Sequence, residues 1–394
     1  MKKKILIASY DLEVGGVERS LISMLEQFDY EQFEVDLLLY HHSGDFFPFL
    51  TNKVNLLPQI NQLASFRKPV VYLIKEGHFL LALSRIGANL KSKLEKTDGE
   101  SVIQMQDMWK YSLPLLKPLN QEYDVAISFL WPHDYVAYKV RAKKKIAWIH
   151  TDYSKIRTDI KRDLKVWNRF NHIISISEDV TASFLSKYPS LENKISLVEN
   201  IISPDFIKDQ ANEEIKGFNS QDFNLVSVGR LCYAKGYDNA IKALRKLHDE
   251  GLSNIKWHII GYGADEEMLR ALIKEYGLED SFILHGKKIN PYPYMKAADL
   301  YVQPSRYEGK AVTVTEAKIL GKSVLITNYD TAHSQLEHGV DGYITDNSIA
   351  GIVDGIKRFY FNKDLKENLE LTTQNMNYGN YSQLKNLYLL LQIL

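Results

Sequence analysis

The chain is poor in cysteine and has no excess of either charge. Cys232 is the one cysteine among 394 residues, so no disulfide can form within the chain. A lone thiol fits a reducing compartment, where thiols persist without a partner. The 49 Lys and Arg balance the 49 Asp and Glu, which removes any whole-chain argument for a nucleic-acid partner. We therefore expect a cytoplasmic protein that does not bind nucleic acid.

Long apolar runs are also missing. No stretch approaches the roughly 18 consecutive apolar residues that a membrane-spanning helix needs. Basic residues precede a short apolar run at the start of the chain, but Asp11 and Glu13 interrupt that run early. This pattern predicts a first buried strand rather than a signal peptide. The predicted location is cytoplasmic, with peripheral contact at the inner face of the cell membrane left open.

Metal-binding patterns are the third absence. The sequence contains no Asp-x-Asp motif and no His or Cys cluster at metal-ligand spacing. Cationic side chains can replace a metal ion in stabilising negative charge. We expect neither a metal nor another cofactor.

The sequence does contain two series of short apolar runs that alternate with helical patterns. A chain of 394 residues exceeds the usual size of one core, and such alternation is typical of α/β domains with parallel sheets. The predicted strands are 4–9, 33–40, 123–130, 145–150 and 172–177, and then 223–228, 256–260, 282–285, 300–303 and 323–327. Predicted helices include 17–28, 178–187, 237–250 and 265–276, and residues 63–117 read as two or more helices. We predict two doubly wound domains, 1–203 and 204–380, with a terminal helix over 381–394 that packs back on the first.

The richest segment for chemistry runs from Ser305 to Ala317. It follows a predicted strand and leads into a helix through Gly309, so backbone N–H groups and the helix dipole favour an anion there. Glu308 lies in the loop and Glu316 on the helix. Such a Glu pair alone is also common on helix surfaces. A second strand end carries Gly229, Arg230 and Lys235, and two cations at this edge can hold a diphosphate.

These motifs resemble those of the family 4 (group 1) glycosyltransferases, which have the two-domain GT-B fold. The resemblance rests on Gly15-Gly16-Val17-Glu18-Arg19, Gly229-Arg230 with Lys235-Gly236, Gly261-Tyr262-Gly263, and Ser305 followed by Glu308 and Glu316. Their order and spacing fit along almost the whole chain. The resemblance implies GT-B architecture, with two Rossmann-like domains facing across a cleft. The first would serve the acceptor and the second would bind a nucleotide sugar.

The resemblance also implies roles for individual residues. Arg230 and Lys235 would clamp the donor diphosphate and stabilise its departure. Glu308 would face the hydroxyls of the donor sugar and respond to charge at its anomeric carbon, so these three are the predicted catalytic residues. Glu316 would accept hydrogen bonds from the ribose. The predicted donor-binding residues are Gly16, His150, Gly229, Gly261, Gly309, Lys310, Ala311, Val312 and Glu316.

Several of these positions have a plainer alternative. His150 resembles the histidine that contacts the transferred sugar, yet an isolated histidine at a strand end is often structural. Gly261 can equally mark a tight turn. Gly16 would let the first loop approach phosphate or acceptor closely. Lys310 and Ala311 depart from the usual apolar residues after the glycine, and Tyr292 is expected to serve packing.

The implied reaction is transfer of a hexosyl group with retention of anomeric configuration. A UDP-sugar is the first expected donor and GDP-mannose the second. The expected acceptor is a saccharide or lipid-linked saccharide, as in assembly of a bacterial capsule, exopolysaccharide or teichoic acid. A nucleotide-sugar epimerase on the same fold and a non-catalytic nucleotide-sugar-binding protein remain as alternatives.

A basic region suggests where a membrane contact would lie. Residues 51–170 contain 21 Lys and Arg against 11 Asp and Glu, and such an excess attracts anionic lipid headgroups. Within it, a helix predicted over 155–170 has Ile156, Ile160, Leu164 and Trp167 on one stripe, as a peripheral membrane helix would. An ordinary helix packed on the sheet shows the same stripe.

Overall fold

The chain folds into two compact units. A computed structural model describes residues 2–13, 15–94, 102–215, 217–219, 221–309 and 311–392. The first unit comprises Met1–Ile202 with Asn380–Leu394, and the second comprises Ser203–Gly379. This division falls beside the predicted boundary between residues 203 and 204.

The first unit is built on a parallel sheet of seven strands, whose Val- and Ile-rich runs are buried on both faces. In spatial order the strands are β3-β2-β1-β4-β5-β6-β7, and every neighbouring pair is parallel. Their bounds are β1 Lys3–Ser9, β2 Phe33–Leu39, β3 Asn55–Leu56, β4 Glu122–Ser128, β5 Arg141–Ile149, β6 His172–Ser175 and β7 Ile195–Leu197. The predicted parallel α/β class is confirmed for this unit.

Helices connect these strands, and side-chain caps fix where two of them begin. The helices of the first 202 residues are α1 Gly16–Glu26, α2 Asn61–Ala64, α3 Val70–Lys75, α4 Phe79–Leu94, α5 Val102–Ser112, α6 Asp134–Lys139, α7 Ile160–Trp167 and α8 Glu178–Lys187. The Ser177 side chain accepts a hydrogen bond from the Val180 backbone N–H, so α8 begins where it was predicted. Between 63 and 117 the expected helices form.

The helix predicted over 155–170 is wrong in extent. It begins at Ile160, because the Asp159 carboxylate accepts a hydrogen bond from the Arg162 backbone N–H and caps the helix there. Trp167 is buried in the core of the first unit, and its ring meets that of Phe184 edge-on at 5.1 Å. The stripe that suggested a membrane helix is therefore largely a packing face, which favours the alternative of an ordinary helix on the sheet.

The last helix, α16 Ser382–Leu391, packs on the first unit. Its Tyr388 ring meets Phe28 edge-on at 5.5 Å, and its hydroxyl accepts a hydrogen bond of 2.8 Å from the Asp29 backbone N–H. The aromatic contact and the hydrogen bond together hold the end of the chain against the connection that follows α1.

The second unit has a parallel sheet of six strands in the order β10-β9-β8-β11-β12-β13. Their bounds are β8 Phe223–Val228, β9 Ile255–Ile260, β10 Phe282–Leu284, β11 Leu300–Gln303, β12 Val324–Thr327 and β13 Tyr343–Thr345. The helices are α9 Pro204–Gln210, α10 Tyr237–Asp249, α11 Glu266–Glu275, α12 Tyr292–Ala297, α13 Val312–Ile319, α14 Ile349–Phe361 and α15 Lys363–Asn375. The strand order reverses between β8 and β11, and ligands of open α/β sheets bind outside the carboxyl ends of strands at such a reversal.

No helix among the described residues is both long and apolar enough to cross a membrane.

Candidate functional site

The loops after β8 and β11 meet at the reversal of strand order in the second unit. Gly229 and Arg230 follow β8, while Pro304 and Ser305 follow β11. The backbone N–H of Arg306 donates to the carbonyl of Ala234 over 2.8 Å, which joins the two loops directly. The fold therefore brings the two predicted chemical segments together at one sheet edge.

Glycines allow the loops after β8 and β9 to pack backbone to backbone. A Cβ on Gly261 would lie 1.8 Å from the carbonyl oxygen of Gly229, and one on Gly263 would lie 2.2 Å from that of Leu231. A Cβ on Gly229 would lie 3.0 Å from both Lys235 Cε and the Tyr237 hydroxyl. Close packing within the unit thus explains these glycines, and a donor-binding role for Gly229 and Gly261 stays a prediction.

Glu308 is held by three donors that converge on one of its oxygens. Oε1 accepts hydrogen bonds from Lys235 Nζ at 2.6 Å, Ser305 Oγ at 2.6 Å and Gln303 Nε2 at 2.9 Å. The Lys235 and Glu308 side chains are only 17% and 12% exposed, so the ion pair is shielded from solvent. The arrangement fixes the carboxylate and leaves Oε2 without a donor among the described residues.

Behind Glu308, a buried polar network links β11 to the start of α13. The Tyr301 hydroxyl lies 2.6 Å from Gln303 Oε1 and 2.7 Å from Thr313 Oγ1. The Gln303 side-chain amide also donates to Ser305 Oγ over 2.8 Å. This network was not predicted from the sequence. Its signal there is limited to Gln303 within a buried strand and Ser305 just after it.

Arg230 is exposed and forms no ion pair or hydrogen bond with the parts of the chain that the structure describes. Tyr237, at the start of α10, is buried nearby, and its hydroxyl also makes no hydrogen bond to a described residue. Burial, with a smaller contribution from the Glu308 carboxylate, raises the pKa of Tyr237 well above its ordinary value. The tyrosine is therefore a neutral donor, while Arg230 is a cation available to an external anion.

Glu316 lies on α13 and is 1% exposed. The Tyr292 hydroxyl donates to its Oε1 over 3.1 Å. Tyr292 is buried, as expected for a packing residue. Its hydroxyl also orients Glu316, the residue predicted to bind the ribose, and this second role was not predicted. Because Tyr292 lies at the start of α12, 24 residues before Glu316, the sequence did not indicate this contact.

The start of α13 differs in one respect from the predicted anion site. The Ala311 backbone N–H donates to Gln335 Oε1 over 2.9 Å, so it is already occupied and the expectation of a free N–H there was wrong. Space around Gly309 is open, since a Cβ there would meet nothing within 4 Å. Val312 is the first residue of the helix. Lys310 lies outside the described residues.

A salt bridge that sequence reasoning also missed stabilises the loop of Ser305. The Arg306 guanidinium donates two parallel hydrogen bonds to Asp238, of 2.8 and 2.6 Å, and a third of 2.8 Å to the Tyr233 carbonyl. Bidentate pairs of this kind fix geometry as well as adding energy. Arg306 thus ties the loop that carries Glu308 to the segment that carries Lys235.

Two predicted residues lie in the first unit. Gly16 is the first residue of α1, and a Cβ there would meet nothing within 4 Å, so crowding within the chain does not require glycine. His150 follows β5 and stacks on Trp148 with ring centroids 5.9 Å apart. Burial lowers the pKa of His150 to about 4, against smaller opposing effects of the Phe129 backbone and Asn200. The imidazole is therefore neutral near pH 7, and its contact with a sugar stays a prediction.

No group of three or more His, Cys, Asp or Glu side chains able to hold a metal occurs within the described ranges. This finding does not test whether a metal takes part in the reaction, so the expected metal-independent reaction stays a prediction.

Part of the chain matches a known protein family, and parts of it are similar to curated proteins. Residues 208–376 match the family model described as glycosyl transferases group 1. A stretch of 189 residues, 47% of the chain, is 28% identical to an uncharacterised glycosyltransferase of Methanocaldococcus jannaschii and spans 46% of it. A stretch of 143 residues, 36% of the chain, is 30% identical to the N-acetylgalactosamine-N,N'-diacetylbacillosaminyl-diphospho-undecaprenol 4-alpha-N-acetylgalactosaminyltransferase of Campylobacter jejuni and spans 37% of it. The chain thus spans less than half the length of either curated relative.

A solved structure covers both units. The crystal structure of Anabaena HepE in complex with UDP and glucose matches with a TM-score of 0.64 at 15% identity, over 100% of each chain. At that identity the likeness shows the fold, and the fold is GT-B.

Proposed function

We propose that this chain, whose residues 208–376 match the model of the group 1 glycosyltransferases and whose fold is GT-B, is a glycosyltransferase. It transfers a hexosyl group from a nucleotide-diphosphate sugar to a saccharide or lipid-linked saccharide. The observation that carries the proposal is the contact of Lys235 with Glu308 at the reversal of strand order in the second unit. Arg230 follows β8 at the same sheet edge, and Glu316 lies on α13, the helix that follows β11.

The two cations act on the leaving group. Cleavage of the donor leaves a nucleoside diphosphate, and preorganised cations stabilise the negative charge that develops on it. Arg230 has no ion-pair partner within the described ranges, so a diphosphate is not competing with a carboxylate for it. Lys235 already binds Glu308, but an ammonium has three N–H donors and can keep that contact while donating to phosphate.

The two carboxylates bind hydroxyl groups of the donor. Glu316, oriented by Tyr292, accepts hydrogen bonds from the ribose. Glu308 offers Oε2 to the hydroxyls of the sugar, because its other oxygen is held by Lys235, Gln303 and Ser305. Its negative charge also lies where positive charge grows at the anomeric carbon, which favours that transition state.

The proposed reaction retains the anomeric configuration. The bond between the anomeric carbon and the phosphate oxygen breaks, and its electron pair leaves with the diphosphate. The acceptor hydroxyl oxygen bonds to the same face of the carbon, and its proton passes to the departing phosphate oxygen. This route needs no enzyme nucleophile, and we assign none.

The donor and acceptor classes are proposed from the relatives. HepE was solved with UDP and glucose, which supports a UDP-sugar as the first candidate, with GDP-mannose second. The Campylobacter jejuni relative is named for a diphospho-undecaprenol substrate, which supports a lipid-linked acceptor. We accordingly propose a role in bacterial cell-surface polysaccharide synthesis, on the inner face of the membrane.

A thermal-shift screen tests the donor. The purified chain is heated with UDP, GDP, ADP, dTDP and their sugars, without metal and with chelator. We expect saturable stabilisation by one nucleoside diphosphate, because selective binding to the folded state raises its apparent stability. A well-folded sample that no nucleotide stabilises would contradict a donor site. Stabilisation that disappears with chelator would contradict the metal-free mechanism alone.

Variants test the site and separate transfer from the alternatives. Lys235→Ala should abolish transfer to acceptor while its melting curve stays cooperative, whereas Lys274→Ala on the exposed face of α11 serves as the matched control. Because Glu316 is buried, Glu316→Gln removes the charge with less risk to folding than Glu316→Ala. Unchanged turnover in both site variants would overturn the assignment. Conversion of the donor sugar to its epimer without any acceptor would identify an epimerase, and binding without turnover a binding protein.

A further inference from the structure

Exposed apolar side chains are concentrated on two adjacent helices of the first unit. Of the 23 exposed large apolar side chains among the described residues, eight lie between residues 71 and 94, on α3 and α4. They are Val71, Ile74, Phe79, Leu80, Leu83, Ile86, Leu90 and Leu94. We name this set the α3–α4 face.

On α4 these residues form a stripe along one side of the helix. Residues 79, 83, 86, 90 and 94 follow each other at spacings of three and four, which places them on one face. Leu81, Ala82 and Ala88 are buried on the other side and belong to the packed interior of the unit. A helix on a protein surface normally presents polar side chains to solvent. The apolar outer side of α4 therefore indicates an interaction surface.

Basic residues outnumber acidic ones along these two helices. Residues 61–94 contain six Lys and Arg and one acidic residue, Glu76. Two of the six are neutralised by carboxylates, because Arg67 pairs with Asp11 and Lys91 with Asp107. Lys75 ends α3 and Lys93 lies near the end of α4, and both are exposed. Lys68 lies over the Tyr72 ring, 4.1 Å from its centroid. Lys68, Lys75 and Lys93 thus accompany the apolar face without an ion-pair partner among the described residues.

We propose that the α3–α4 face docks on an anionic lipid bilayer, with α4 lying in the plane of the headgroups. Apolar side chains enter the boundary between headgroups and acyl chains, while lysines bind the anionic headgroups. A second copy of this chain is a poorer occupant, because two such faces would bring like charges together. Docking by α3 and α4 replaces the segment 155–170 that the sequence suggested.

This inference rests on the proposed membrane location but not on transfer itself, so the test measures binding. The full chain is sedimented with vesicles of phosphatidylcholine alone and of phosphatidylcholine with phosphatidylglycerol. We expect binding to the anionic vesicles, and we expect Leu83→Gln with Leu90→Gln to weaken it at least about tenfold. Leu371→Gln on α15 is the matched control, since Leu83 and Leu371 are 62% and 59% exposed. All these positions are on the surface, so the variants should fold.

A charge series tests the second half of the proposal. Lys75→Glu with Lys93→Glu should reduce binding to anionic vesicles by about fivefold or more per residue, and added salt should weaken the wild type similarly. Lys363→Glu, whose side chain is 86% exposed on α15, should leave binding unchanged. Any of three results would overturn the proposal. They are equal binding to neutral vesicles, unchanged binding of the leucine variants, and self-association that depends on Leu83 without any vesicle binding. The thermal shift caused by the donor nucleotide should be unaltered in these variants. A loss of vesicle binding can then be distinguished from damage to the donor site.

Discussion

Replacing Gln303 with leucine tests whether the buried network positions Glu308. The substitution removes the 2.9 Å hydrogen bond from Gln303 Nε2 to Glu308 Oε1. Lys235 and Ser305 still donate to that oxygen, and the Tyr301 hydroxyl still has Thr313 Oγ1 at 2.7 Å. No buried group therefore loses all its partners, which limits the damage to folding.

The expected effect follows from the loss of one charged hydrogen bond. Such a bond contributes about 1.5–3 kcal/mol. If that orientation is lost in the transition state, kcat falls by roughly 10- to 100-fold. Affinity for the bare nucleoside diphosphate should stay within about twofold, because Glu308 is proposed to contact the sugar and not the phosphates.

The assay compares kcat for transfer with the dissociation constant of the nucleoside diphosphate, measured on the same folded fraction. Gln106→Leu is the matched control, since Gln106 is also buried and its side-chain amide donates to the carboxylate of Asp163 in the first unit. It should lower stability without lowering kcat per folded molecule. A Gln303→Leu enzyme with wild-type kcat would refute the positioning role, and a parallel loss of nucleotide affinity would refute the separation of sugar and phosphate contacts.

Two further predictions concern stability. Gly261→Ala should destabilise the fold by more than about 2 kcal/mol, because the new Cβ would fall 1.8 Å from the Gly229 carbonyl oxygen, whereas Gly309→Ala should change it by less than about 1 kcal/mol; equal urea midpoints would contradict the packing argument. Burial lowers the pKa of His258 to about 4, so between about pH 6.5 and 4 the unfolded chain binds a proton that the folded chain does not. The contribution of His258 to stability should fall by at most about 3 kcal/mol as the pH drops through that window, and other buried groups such as His150 add their own pH dependence. His258→Gln should remove this part of the pH dependence and the exposed control His333→Gln should not; parallel pH curves for wild type and His258→Gln would contradict it.

The sequence predicted well those features that depend on local patterns. The run from 223 to 228 matches β8 at both ends. Four of its six residues are large and apolar, as is typical of a buried parallel strand, and it lies between Asp222 and Gly229. The approach of the segments that carry Lys235 and Glu308 also followed from sequence, because carboxyl ends of adjacent parallel strands share one edge.

Features that depend on tertiary contacts could not be predicted in the same way. Periodicity extended a helix back to residue 155, since an apolar stripe carries no information about a cap, and the Asp159 cap sets the start at Ile160. Likewise, Gln335 binds the Ala311 N–H from 24 residues away. Its effect on the anion site depends on the conformation of the intervening chain, which composition and spacing do not report.

The glycine contacts between the loops after β8 and β9 also bear on how the site meets its donor. With the Gly261 and Gly263 backbones packed against those of Gly229 and Leu231, the base of Arg230 has little freedom to shift on its own. Capture of a diphosphate then relies on rotation of the long, exposed Arg230 side chain, a picosecond-to-nanosecond motion rather than a slower loop movement. Ordering that side chain costs about 1.5–2 kcal/mol. The donor's encounter with this loop should therefore be fast, with part of its affinity offset by side-chain entropy.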